Sequence, residues 1–120
     1  LTFSVNLRQG AHWNFNLAGT FHSGWPTTPV SARFVDGRLV SSTGARGTTR
    51  LPSYRRADLR VSRSSGPLTM FVEVLNVLNN ANVTRVEGFR FDVQGAEVTA
   101  IPVYESVLTV LPSFGVTWRF

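Results

Sequence analysis

Apolar and polar residues alternate one by one along most of this chain, and helical spacing is nearly absent. A period of two marks strands with one apolar and one polar face. From Thr2 to Arg8 the apolar set is Phe3, Val5 and Leu7, against Thr2, Ser4, Asn6 and Arg8. Gln9-Gly10 makes a short turn, after which Trp13, Phe15, Leu17 and Phe21 alternate with Asn14, Asn16, Ala18 and Thr20. These two runs predict a hairpin with a tight connection. Alternation resumes with Ala57, Leu59 and Val61 against Arg56, Asp58, Arg60 and Ser62. Past Ser65-Gly66-Pro67, the residues Leu68, Met70, Val72 and Val74 face one way, and Thr69, Phe71, Glu73 and Leu75 the other. The last run sets Phe114, Val116, Trp118 and Phe120 against Ser113, Gly115, Thr117 and Arg119. The expected fold class is all-β, an antiparallel meander of about five long strands.

The connections are unequal. Tight turns lie near Gly10 and Gly66, whereas residues 22–53 and 77–111 are long excursions. The first excursion is rich in turn formers and carries Asp36-Gly37 between Arg33-Phe34-Val35 and Arg38-Leu39-Val40, a type I′ hairpin signal. The second has Gln94-Gly95 as a hairpin tip between Phe89–Val93 and Glu97–Ile101. Asn76-Val-Leu-Asn-Asn-Ala-Asn82 is a turn-prone cluster that ends the preceding strand.

Short turns on one side and long loops on the other are the plan of an outer-membrane β-barrel, whose strands alternate apolar outward and polar inward. Aromatics near strand ends (Trp13, Phe21, Phe114, Trp118, Phe120) suit the interfacial girdles of such a barrel, and Tyr54 and Tyr104 are further candidates. The opposite face carries Arg8, Arg56, Asp58, Arg60, Glu73 and Arg119, in a register that allows pairing in a wet lumen. A soluble sandwich, with one face buried on a second sheet, would alternate in the same way and stands as the alternative.

Composition narrows the choice. The chain is 120 residues, 42% hydrophobic and 16% charged, which excludes disorder. No stretch of ~20 apolar residues offers a transmembrane helix. Without cysteine there is no disulfide framework or thiolate metal site. The first residue is Leu1 with no leader after it, as expected of a mature chain or a piece of a longer one. The net charge of +5 comes from arginines scattered between Arg8 and Arg119, with Arg55–Arg56 the sole adjacent pair. That distribution argues against nucleic acid, which calls for a clustered basic patch.

Leu51-Pro-Ser-Tyr-Arg-Arg-Ala-Asp-Leu-Arg-Val-Ser resembles the third-last strand of TonB-dependent outer-membrane receptors. Leu68-Thr-Met-Phe-Val-Glu-Val-Leu-Asn-Val-Leu-Asn is similar to their penultimate strand, and Leu111-Pro-Ser-Phe-Gly-Val-Thr-Trp-Arg-Phe to their final one. Trp13-Asn-Phe-Asn-Leu-Ala-Gly with Ser23-Gly24-Trp25-Pro26 resembles the strand and loop entry before these. The resemblance spans essentially the whole chain and implies that residues 1–120 are the C-terminal part of such a receptor's barrel, with extracellular loops at about 22–53 and 77–111. It implies a cell outer membrane location and active uptake of a large scarce solute such as a siderophore, cobalamin or oligosaccharide. The implied partners are outer-membrane lipid, the barrel-assembly machinery and the TonB complex, the last reached through a missing N-terminal region. Phe114, Val116, Trp118 and Phe120 would carry the assembly signal, read by β-augmentation. A plug domain is not among these residues. A soluble adhesion or carbohydrate-binding module and the end of a passive porin are the competing functions.

Nothing in the sequence points to an enzyme or a cofactor. His12 and His22 lack carboxylates at metal-ligand spacing, and no Gly-x-Ser-x-Gly or His-Glu-x-x-His is present. Gly44-Ala-Arg-Gly47 lacks a phosphate-loop lysine. Asn82-Val83-Thr84 is a weak glycosylation match, and Glu87, Asp92, Glu97 and Glu105 read as solvated loop charges.

Overall fold

A computed structural model describes residues 1–107 and 109–120; Leu108, inside the second expected excursion, lies outside the described residues. The strands are β1 (Thr2–Gln9), β2 (Trp13–His22), β3 (Pro26–Thr27), β4 (Val30–Val35), β5 (Arg38–Thr43) and β6 (Thr49–Arg50). They continue as β7 (Tyr54–Ser65), β8 (Leu68–Leu75), β9 (Val83–Gln94), β10 (Glu97–Ser106) and β11 (Leu111–Trp118). Among the described residues there is no helix, and every strand pair is antiparallel. The all-β antiparallel expectation is therefore met.

The chain divides into two compact units. The first contains a five-stranded open sheet in the order β1-β2-β7-β8-β11. These are the five alternating runs of the sequence: β8 keeps the limits of its run, and the other four differ from theirs by one to three residues at one or both ends. Gln9 pairs with Trp13, so the first turn occupies residues 10–12, one step beyond the expected Gln9-Gly10. Ser65 pairs with Leu68 and leaves Gly66-Pro67 alone as the second turn. Gly66 has φ +57°, and a positive φ followed by a proline-fixed negative one is the type II′ pattern that matches strand twist.

Register explains why alternation survives across the whole sheet. Val5, Leu17, Leu59, Val74 and Pro112 are successive partners in one row. Leu7, Phe15, Val61, Val72 and Phe114 form the next. On the other face Asn6, Asn16, Arg60, Glu73 and Ser113 line up likewise. A slip by one residue in any pair would mix the two faces.

The second unit, residues 23–53 and 83–107, is built from both excursions. They are rich in strands: β4 pairs with β5, β3 with β6 and β9 with β10. Asp36 and Gly37, at φ 49° and 75°, connect β4 to β5 as expected of a type I′ turn. The β9–β10 hairpin is longer than its sequence signal and carries register shifts near Val103/Tyr104 and Glu105/Ser106. Its ladder includes Gln94 opposite Glu97, so Gly95-Ala96 form the tip instead of Gln94-Gly95. Leu51 is the buried apolar side chain of this unit among the described residues.

Candidate functional site

The five-stranded sheet places its chemistry on two faces and two edges. Its apolar face lacks a second protein layer within this unit, and the side chains remain open: Val72 is 57% exposed and Phe114 85%. Ala57 is the buried apolar side chain here among the described residues. A globular sheet ordinarily covers one face to remove it from water. Here that covering is absent from the unit, and the large apolar residues Leu7, Leu17, Leu59, Met70 and Val116 stay exposed.

The polar face gathers the six charged residues singled out by alternation. Arg56 Nε donates to Asp58 Oδ1 at 2.8 Å, an i, i+2 pair on one strand face. Arg60 and its register partner Glu73 form an ion pair at 3.8 Å, and the Arg60 guanidinium lies 3.9 Å from the Phe71 ring centroid. Arg8 and Arg119 line one cleft with His12, Asn14, Ser62 and Ser64 at the tight-turn end. A second cleft, about 500 Å³, opens at the excursion end beside His22, Tyr54, Arg56 and Asp58. His22 and Tyr54 stack there at 4.8 Å.

The aromatic residues separate. Trp13 and Phe21 lie on the apolar face toward opposite ends of β2, with Phe21 stacked on Phe3 at 6.1 Å. Tyr54 shares the polar face with Arg56 and Asp58. Tyr104 belongs to β10 in the second unit, where it lines a cleft of about 200 Å³ with Phe89, Pro102 and Arg50. Phe114, Val116 and Trp118 alternate along the open edge strand β11, and Phe120 follows it, fully exposed.

Sequence reasoning placed a turn-prone cluster after β8 but missed what its asparagine side chains do. Asn76 and Asn82 are buried among the described residues, and both use their side chains as backbone substitutes. Asn76 N–H donates to Asp58 Oδ1 at 2.8 Å, and Asn76 Nδ2 to the Asn80 carbonyl at 2.9 Å. Asn80 Nδ2 donates to Asn82 Oδ1 at 2.7 Å. The turn thus ties the end of β8 to the start of β7 and anchors the polar-face Asp58. A cluster of four asparagines within seven residues was the available signal; the distant partners Arg55 and Asp58 were not readable.

Among the described residues no group of His, Cys, Asp and Glu side chains is arranged to hold a metal ion. No family, curated protein or solved structure matches this chain.

Proposed function

We propose that this chain is the C-terminal wall of a TonB-dependent outer-membrane receptor that takes up a large scarce solute. The observation that supports it best is the continuous apolar face over five hydrogen-bonded strands, uncovered within its unit, backed by a face of arginine, asparagine and carboxylate. In this reading the apolar rows meet acyl chains, and Arg8, Arg56, Asp58, Arg60, Glu73 and Arg119 line a hydrated lumen. β1 and β11 pair with further strands of the same barrel, because an unpaired backbone edge in lipid costs several kcal/mol per group. The second unit is the extracellular loop assembly, and Phe114, Val116, Trp118 and Phe120 are read by the assembly machinery. The solute, the TonB complex and the plug enter through the resemblance alone.

The test is fractionation of cells expressing the full-length protein. Recovery in outer membranes, with detergent needed for extraction and a folded form that migrates faster until boiled, is the expected result. A detergent-free monomer that unfolds cooperatively would replace this reading with a soluble adhesion or carbohydrate-binding module. An upstream coding region without a plug would favour a passive porin.

A further inference from the structure

The apolar face is bounded on β7 by two arginines. Arg55, Ala57, Leu59, Val61 and Arg63 share it by alternation, so the cations stand eight positions apart with only apolar residues between. That separation is about 26 Å along the strand, or roughly 20 Å along a membrane normal at the usual tilt of barrel strands. Long side chains extend this by snorkelling toward the two interfaces. Arg63 is an exposed residue on the row Gln9, Trp13, Arg63, Met70 and Val116, where its direct partners Trp13 and Met70 are apolar. Its guanidinium sits 5.3 Å from the ring centroid of its register partner Trp13. No carboxylate among the described residues pairs with it. The pair is held in place from behind: Ser64 N–H donates to the His12 carbonyl at 2.8 Å, and His12 Nδ1 meets the Ser64 carbonyl oxygen at 2.9 Å. Beside it runs a groove of about 310 Å³ whose walls include Trp13, Val61, Met70 and Val72.

We infer that Arg63 and Trp13 form a binding site for the phosphodiester headgroup of an anionic glycerophospholipid, with one acyl chain lying along Val61, Val72 and Met70. This rests on the membrane reading above. The cation supplies a two-pronged donor for phosphate oxygens, and its cation–π contact with the indole pre-orients that fork. The groove continues from charge to pure hydrocarbon within one side chain's length, which matches the junction of headgroup and acyl tail rather than a free anion. Arg63 lies at the tight-turn end, so the lipid belongs to the leaflet on that side.

The full-length protein, extracted in mild detergent, is mixed with phosphatidylglycerol and its retained lipid counted by native mass spectrometry. Wild type keeps the lipid; Arg63→Gln keeps it about tenfold less well, and Arg63→Lys falls between. Arg38→Gln, in the β4–β5 hairpin, behaves as wild type. Heat-modifiable migration identifies folded samples. If Arg63→Gln does not fold, Trp13→Leu, which leaves the cation in place, carries the test with a several-fold loss. A folded variant that retains phosphatidylglycerol as well as wild type overturns the site while leaving the barrel intact. Displacement of the lipid by millimolar inorganic phosphate overturns the lipid as occupant. A protein found soluble without detergent fails at the underlying reading instead.

Discussion

The Asn82 carboxamide pairs with both backbone groups of Arg55: it accepts from the Arg55 N–H at 2.7 Å and donates to the Arg55 carbonyl at 2.9 Å. A side chain thereby completes the ladder at the start of β7, where the neighbouring strand has already turned away. Asn82 is fully buried, so its loss strands two backbone groups without water. Asn82→Ala is expected to destabilise the sheet by about 2–4 kcal/mol. Asn82→Asp keeps the acceptor but sets a buried carboxylate oxygen against the Arg55 carbonyl, so it should cost at least as much as Asn82→Ala. Urea titration of the refolded full-length protein, with an unchanged slope, measures both.

On the polar face, Phe71 leans over its register partner Gly115, where an added Cβ would sit 2.4 Å from a ring carbon. Gly115→Ala should cost roughly 1–3 kcal/mol through forced movement of that ring. Phe71→Leu should recover part of the loss in the double variant, because the two positions share the same space. Additive costs in a double-mutant cycle would show that the ring is not the obstacle.

The Arg60–Glu73 pair is half exposed and long, at 3.8 Å. Glu73→Gln is expected to change stability by under about 1 kcal/mol, and less at high salt. A larger effect, measured at low and high ionic strength, would place this pair in a drier setting than its exposure indicates.

Two adjacent positions on β7 test which face meets lipid. Val61 lies on the apolar face and Ser62 on the polar one. Val61→Arg should cost about 2–4 kcal/mol in bilayers, whereas Ser62→Arg should be near neutral. Equal, small effects on folding into vesicles would mean that Val61 faces water.

Phe120 stands clear of every other residue's cover, in line with the alternating exposed row of β11. Phe120→Ser in the full-length protein should reduce the assembled, heat-modifiable form in outer membranes while leaving synthesis unchanged. Undiminished assembly would remove the sorting role and leave β11 as an ordinary wall strand.

The parts of this fold that were legible in the sequence are those set by neighbours two residues apart. β8 and the Asp36-Gly37 turn match their patterns directly, because period-two alternation and a paired positive φ are local properties. The hairpin tip moved from Gln94-Gly95 to Gly95-Ala96 because the ladder, not the turn residue, decides where pairing ends. The two-residue pairing of Pro26-Thr27 with Thr49-Arg50 has no local signature at all. For the candidate site, alternation groups the charged residues on one face, yet Arg63 stands between Ser62 and Ser64 with no mark of its apolar partners, and Asn82 lies inside a turn-prone cluster. Both depend on partners distant in sequence: Trp13 lies across the first excursion from Arg63, and Arg55 across the β7–β8 hairpin from Asn82.

β1 and β11 both start at the excursion end of the sheet and run toward the tight turns, since an odd number of antiparallel strands separates like from like. Bringing one edge against the other, within a chain or between copies, would therefore create a parallel seam in an otherwise alternating wall. A cylinder free of such a seam must recruit an odd number of additional strands, the first and last of them pointing the opposite way.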